Sequence, residues 1–116
     1  MNPVSTPQKK PARHWTFLNN HAHVLICLAR NPDAVLREVA QLVGITERAV
    51  QLIIKDLVEC GVLVRRRVGR CNTYLINPQH PLRHPLEIEH TIEELLSMLL
   101  SEKELQLLKT RWEEHL

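Results

Sequence analysis

The sequence has 116 residues, which is the size of a single domain. Hydrophobic residues make up 44% and charged residues 24%, a balance typical of a folded chain and not of general disorder. Three cysteines, an odd number without a secretory signal, exclude a disulfide framework. The longest apolar run, residues 24–29, is too short to span a bilayer. We therefore expect one soluble, cytoplasmic domain without a membrane segment.

The net charge of +2 is divided unevenly along the chain. Residues 1–85 contain twelve Lys or Arg against five Asp or Glu, so this part carries +7. Residues 86–116 contain three Lys or Arg against eight Asp or Glu and carry −5. This division predicts that the first part approaches a polyanion and that the second does not.

The first predicted elements are a flexible arm and an apolar helix. Residues 1–14 contain three prolines among polar and basic residues and show no periodicity, which favours a flexible basic arm. Asn19 or Asn20 is a suitable N-cap for a first helix that ends near Arg30. This helix is apolar almost all the way round, so we expect it to be covered on more than one side. A second subunit is one source of that cover.

Two helices joined by a tight turn follow. Apolar residues at helical spacing predict a helix over residues 37–43, which Gly44 stops because glycine adopts the left-handed conformation without cost. Thr46 is the expected N-cap of a third helix that runs to about Cys60 and is ended by Gly61. The predicted core face of this third helix consists of Val50, Ile53, Ile54 and Leu57.

Two β-rich runs come next, over residues 62–68 and 72–76. They flank a bend at Gly69 and Arg70, so they predict a hairpin. Three prolines then favour an extended connector up to Pro85.

Beyond the connector, apolar residues from Leu86 onward are spaced as in an amphipathic helix. Ser101 and Glu104 form a capping-box pattern, which predicts a break near Ser101 and a separate last helix. One long, bent helix is the alternative. The apolar stripe of the helix before the break consists of Leu86, Ile88, Ile92, Leu95, Leu96 and Leu99. Leu100 and Leu105 flank the break as a hydrophobic staple. The apolar face of the last helix consists of Leu105, Leu108 and Trp112.

The most informative segment lies within residues 36–54. A small Ala40 allows two helices to cross closely, Gly44 turns the chain, and Ile45 with other apolar residues fills the angle between the helices. This spacing resembles the helix-turn-helix motif of DNA-binding regulators, and the hairpin directly after it resembles the winged form of that motif. Over about residues 16–100 the chain is similar to small regulators of the MarR and ArsR types, between which we do not choose.

The resemblance implies a fold class and a domain organisation. The fold is mainly α with a small β-hairpin: a winged helix-turn-helix plus C-terminal dimerisation helices. The implied parts are an N-terminal arm over residues 1–14, a DNA-binding domain over residues 15–85 and a dimerisation segment over residues 86–116. The implied function is a sequence-specific regulator of transcription that binds double-stranded DNA. We expect a twofold homodimer joined by the first helix and the C-terminal helices, and repression as the default action.

The resemblance also assigns the DNA contacts. It places the recognition helix, about residues 46–60, in the major groove and the wing, about residues 65–72, on the minor groove or backbone. Arg48 would bind guanine, Gln51 adenine and Glu47 cytosine, while the start of the helix and Lys55 would bind phosphates. Arg70 would reach the minor groove, and alternation along the strand puts Arg65 and Arg67 on one face and Arg66 on the other. The candidate DNA-binding residues are Thr46, Glu47, Arg48, Gln51, Lys55, Arg65, Arg66, Arg67, Arg70 and Asn72.

Three alternatives remain open. A winged helix can serve as a protein-interaction module that does not bind DNA. Cys71 lies beside Arg70, where positive charge favours the thiolate, so redox gating is a second alternative. A metal-gated regulator of the ArsR type is the third, although the histidines and cysteines lack compact ligand spacing. We expect no catalytic residues, no cofactor and no metal, because the sequence contains no catalytic or phosphate-binding motif. The histidines considered as ligands are His21, His23, His80, His84 and His90.

Overall fold

The computed structural model describes residues 15–116, so the arm expected over residues 1–14 lies outside the described residues. The described part is mostly helical and contains one two-stranded antiparallel hairpin, as the sequence predicted. In chain order the elements are α1 Asn20–Arg30, α2 Leu36–Val43, α3 Glu47–Glu59, β1 Leu63–Val68, β2 Cys71–Ile76, α4 Ile92–Ser97 and α5 Glu102–His115.

The first helix begins and ends where the sequence predicted. The side chain of Asn19 caps α1 by accepting a hydrogen bond from the Ala22 amide at 3.0 Å. The helix packs against α2, α3, α5 and β2 of its own chain. Much of its apolar surface is therefore covered by elements of the same chain, while a second subunit at this helix stays a prediction.

The corner between α2 and α3 has the predicted turn chemistry. Gly44 has a φ of 87°, in the left-handed region, and its amide donates to the Ala40 carbonyl at 2.8 Å. Thr46 then caps α3. At the far end of α3, the amide of Gly61 donates to Val58 and the next amide donates to Leu57, the paired bonds of a Schellman motif. The buried face of α3 consists of Val50, Ile53, Ile54 and Leu57, as predicted.

The hairpin, which we call the wing, is buried at its base and exposed at its tip. Leu63 pairs with Ile76 and Val68 with Cys71, which leaves a two-residue turn at Gly69 and Arg70. At the base, three consecutive residues of β2 are buried, so this end of the strand is covered on both faces. The amide of Tyr74 also donates to the carbonyl of Pro32, which ties the wing to the α1–α2 loop.

The predicted helix from Leu86 is wrong in its first turns. Residues 85–90 form turns, and α4 begins only at Ile92, after the N-cap Thr91. The reason is a capping box in which Thr91 and Glu94 satisfy each other's backbone amides. Leu86 and Ile88 are consequently exposed and do not join the core.

The break at Ser101 is confirmed. Ser101 caps α5 through a second capping box with Glu104, which excludes one continuous bent helix. The flanking Leu100 is buried and Leu105 packs against the core, as a hydrophobic staple requires. Of the residues predicted for the last helix, Leu108 is buried and Trp112 is half-buried.

One apolar core includes residues of both the wing-bearing part and the C-terminal helices. An ion pair joins the same two parts, because Arg30 of α1 lies 3.9 Å from Glu104 of α5. A second ion pair, of 3.1 Å between Lys109 of α5 and Glu93 of α4, lies within the C-terminal part. No helix within residues 15–116 combines the length and apolar character needed to cross a membrane. The core residues contributed by the C-terminal part are Ile92, Leu96, Leu100 and Leu108.

Candidate nucleic-acid interface

The surface of α3 opposite its buried face is open to solvent. All five recognition-helix candidates are exposed, and among residues 15–116 none of them lies beneath neighbouring chain. At 1.5 Å per residue, this 13-residue helix is about 20 Å long, enough to lie across a major groove. We call this surface the outward face; its predicted members are Thr46, Glu47, Arg48, Gln51 and Lys55.

The amino-terminal end of α3 carries donors suited to an anion. The hydroxyl oxygen of Thr46 accepts from the Ala49 amide at 3.0 Å, so its own O–H remains able to donate. The amides of Glu47 and Arg48 belong to the first turn of α3, where the backbone donors have no acceptor within the helix and point out of its end. Together with the helix dipole, these donors can hold a phosphate oxygen.

Lys55 differs from Arg48, the other cation of the outward face, because it lies within ion-pair distance of an acid. Its Nζ lies 3.8 Å from a carboxylate oxygen of Glu59, one turn further along α3. Both side chains are about two-thirds exposed, and a surface pair of this kind contributes well under 1 kcal/mol. The contact therefore does not prevent Lys55 from turning to a phosphate.

The wing carries four exposed arginines without acidic partners. We call Arg65, Arg66, Arg67 and Arg70 the wing arginines. Among residues 15–116 no carboxylate lies within ion-pair distance of any of them. In the described part of the chain, the one hydrogen bond that their side chains make is donated by the Nε of Arg67 to the carbonyl of Gly69 at 3.2 Å, inside the turn. The guanidinium groups therefore remain available to an external anion.

The strand register fixes where the wing arginines point. Arg65 is opposite Tyr74 and Arg67 opposite Asn72, so these two share one face. Arg66 is opposite Thr73, on the other face. Asn72 is half-buried, unlike the other nine candidate residues, which are exposed.

Two groups of candidate residues result, one on each of two packed elements. The outward face lies on α3, and the wing arginines lie on or beside the turn of the hairpin that packs against α3 through β1. From Leu63 to the end of β1 the strand advances about 17 Å, which carries the wing tip away from the core. This arrangement places a cationic tip beside a helix with an exposed face.

Sequence reasoning missed two features of this region. Leu52 is 47% exposed on α3, and its helical phase relative to Val50, which lies in the core, is the signal that could have placed it on the opposite side. A groove of about 850 Å³ lies between the start of α1, the end of α3 and residues 81–95. No local sequence pattern predicts this groove, because segments that are far apart in the sequence form it. Apolar residues that line it include Phe17, Leu25, Leu57, Leu82 and Leu95.

Within residues 15–116 the cysteines and histidines do not assemble into a metal site. Cys71 is exposed on the wing and Cys27 is half-buried in α1, where burial raises the pKa of its thiol and Arg30 partly offsets this effect. The Nε2 of His21 lies 2.8 Å from a carboxylate oxygen of Asp56 and so links α1 to α3. In the described part of the chain, no group of three or more His, Cys, Asp or Glu is arranged to hold a metal ion.

Comparison with known proteins identifies the helix-turn-helix segment. No curated protein matches the sequence. A solved structure described as the zinc-dependent MarR family transcriptional regulator AdcR in the Zn(II)-bound state is similar at 17% identity, with a TM-score of 0.41 over 91% of this chain and 78% of that chain. The family described as winged helix-turn-helix DNA-binding matches residues 19–64, from the N-cap of α1 to the start of β1. Residues 19–64 therefore form a winged helix-turn-helix segment.

Proposed function

We propose that this protein is a sequence-specific regulator of transcription that binds double-stranded DNA. In this proposal α3 lies in the major groove and the wing contacts the minor groove or the backbone. The observation that carries it is the set of exposed wing arginines, which have no acidic partner among residues 15–116 and stand beside a helix whose outward face is free. Arginine is the side chain best suited to phosphates, guanine edges and narrow minor grooves.

The proposed contacts divide into those that position the protein and those that read sequence. The end of α3 at Thr46, together with Lys55 and the wing arginines, would contact phosphates or the minor groove. Arg48 would bind guanine, Gln51 adenine and Glu47 the amino group of cytosine. Asn72, half-buried near the wing tip, would contact the backbone.

We also propose that the protein acts as a twofold dimer. One winged helix offers a single recognition helix, which is little contact for a specific regulator. Apolar side chains remain exposed at the start of the described chain and in the connector: Phe17 is 92% exposed and Leu86 is 89% exposed. The groove between these segments is a suitable seat for a second copy, and the acidic C-terminal helices would then stay clear of the phosphates. Sedimentation at micromolar concentration without DNA should show a dimer, and a monomer would contradict this part of the proposal.

Repression is the proposed direction of control, because occupying a promoter is sufficient for it. A reporter gene placed behind a selected binding site should lose expression when the protein is supplied. Increased expression would reverse the assignment.

The salt dependence of duplex binding tests the central proposal. Binding of a fluorescently labelled duplex pool should weaken with salt, and each phosphate contact should add about 0.9 to the slope of log affinity against log salt. A fourfold rise in salt then costs about 3.5-fold in affinity per contact. Arg70→Ala should reduce the slope by about 0.9 if one wing contacts phosphate and by about 1.8 if two wings of a dimer do.

Lys103→Ala is the matched control, because it removes one exposed cation from the acidic α5. Its slope should equal that of the wild type. A wild-type protein with no duplex affinity would favour the protein-interaction module instead. Selection of bound sequences from a random pool would then give the site and show whether it has twofold symmetry.

A further inference from the structure

Leu52 stands at the centre of the outward face of α3. Two residues turn a helix by about 200°, so Leu52 lies almost opposite the fully buried Val50. Its side chain is 47% exposed, and it is not among the partly buried apolar residues that pack against the core. The fold therefore does not use this leucine for its own packing.

The neighbours of Leu52 are the residues proposed to contact DNA. Arg48 precedes it by four positions and Lys55 follows it by three, the spacings at which helical side chains are adjacent. Gln51 is its exposed neighbour in sequence. Leu52 is thus an apolar side chain with two proposed DNA-contacting cations beside it, while its other neighbour, Asp56 at four positions further on, is paired with His21 of α1. A single exposed leucine needs no explanation elsewhere on a surface, but here it occupies the part of the helix that would enter the groove.

The major groove presents one apolar group that a leucine can contact. Among the four bases only thymine carries a methyl group at C5, and apolar side chains contact it there. We propose that Leu52 is a specificity-determining residue that contacts a thymine methyl group. Four residues of helix advance about 6 Å, so this thymine would lie about two base pairs from the base that Arg48 contacts. This inference rests on the proposed DNA-binding function.

Replacing thymine by deoxyuridine removes the methyl group and leaves the hydrogen-bonding edge unchanged. After the bound sequence has been selected with the wild-type protein, each thymine of one half-site is replaced singly by deoxyuridine. Burial of one methyl group corresponds to about a fourfold change in affinity. We expect one position at which the wild type loses about fourfold and at which Leu52→Ala loses nothing.

Two controls separate this contact from general damage. Leu107→Ala should retain the deoxyuridine effect at that position, because it shortens a leucine of similar exposure on α5 and leaves Leu52 in place. Leu52→Ala should unfold at the same temperature as the wild type, since the side chain is outside the core. If it does not, Leu52→Met, which keeps an apolar side chain, should restore the deoxyuridine effect.

The possible failures are distinguishable. A wild-type protein that selects no duplex overturns both the proposed function and this inference. Duplex binding that no deoxyuridine replacement weakens, or a selected half-site without thymine, overturns the inference about Leu52 alone. The same holds if Leu52→Ala keeps the full deoxyuridine effect.

Discussion

Replacing Leu96 by alanine should destabilise the whole described fold and not only its C-terminal part. Leu96 is fully buried, yet it belongs to α4, a helix of six residues. A helix this short is not stable by itself, so its position depends on packing. Leu96 belongs to the same apolar core as residues of α1, α3 and the wing. A cavity at this position is therefore a defect in the core that supports α3.

The size of the effect follows from the burial. A buried Leu→Ala change costs about 2–5 kcal/mol, and we expect about 3 kcal/mol for Leu96, which no solvent reaches. A domain of this size is stable by about 5–15 kcal/mol, so a large part of its stability would be lost. At about 4 °C per kcal/mol, the melting temperature should fall by about 12 °C.

Urea unfolding measured with two probes tests this prediction. Circular dichroism reports all helices, whereas Trp112 fluorescence in a Trp15→Phe background reports α5. Both transitions should coincide and should shift together in Leu96→Ala. Met98→Ala is the control, because this neighbouring side chain is 76% exposed and should change stability by less than about 0.5 kcal/mol. Separate transitions, with only the Trp112 signal shifted, would refute the reasoning that one core holds both parts.

Three further changes test the local signals of the fold. Thr46→Ala removes the N-cap of α3 and should cost about 1 kcal/mol in thermal unfolding, whereas Thr46→Ser should retain most of it. Gly44→Ala places a side chain at a φ of 87° and should lower the free energy of unfolding by about 1 kcal/mol, measured in urea. An unchanged free energy of unfolding would contradict the need for glycine at this corner. Hydrogen bonds from the Thr91 amide and then from the His90 side chain hold the pKa of Glu94 below its usual range. The folded protein therefore binds a proton at Glu94 less readily than the unfolded chain does. The wild type should be more stable than Glu94→Ala at neutral pH, and this difference should disappear as the pH falls through the lowered pKa. Equal unfolding midpoints of the two proteins at neutral pH would contradict this.

The sequence predicted elements whose signals are short-range. Helix ends are marked by hydrogen bonds that span only a few residues. The helix starts predicted at Asn19 and Thr46 and the helix ends predicted at Gly44 and Gly61 are all confirmed. The hairpin could also be predicted from the sequence, because its two-residue turn requires a positive φ at Gly69, which glycine adopts readily. These features do not depend on what the rest of the chain does.

The start of α4 was mispredicted because periodicity was given more weight than capping. Leu86 and Ile88 extend the apolar spacing of α4 towards the N-terminus and so favoured an earlier helix start. Thr91 and Glu94, however, form the same capping-box pattern that correctly predicted the start of α5 at Ser101. The turns before Thr91 are held by contacts with the connector, including a bridge between Pro81 and Thr91. Pairing of this kind joins residues ten positions apart and has no signature in a hydrophobic pattern.

Which elements pack on the apolar surface of α1 could not be predicted from the residues near it in the sequence. Its apolar residues correctly indicated burial on several sides, but the pattern could not distinguish a second subunit from α5 of the same chain. The ion pair between Arg30 and Glu104 shows how the distant acidic segment is attached. The candidate DNA-binding residues were located by resemblance, and the structure describes their exposure and register while their contacts with DNA stay predictions.

The placement of charge in the wing costs stability, and the fold limits that cost. The three consecutive arginines of β1 are all opposite neutral residues of β2, so no like charges face each other across the hairpin. Along the strand, Arg65 and Arg67 share a face about 7 Å apart, where two positive charges in water repel by about 0.6 kcal/mol. The chain uses acids at Asp56, Glu93 and Glu104 to join its own helices and supplies none to these arginines within residues 15–116. An arrangement that leaves this repulsion uncompensated in the free protein is stabilised when an anion binds, which is the physical reason for our proposal that the wing contacts phosphates.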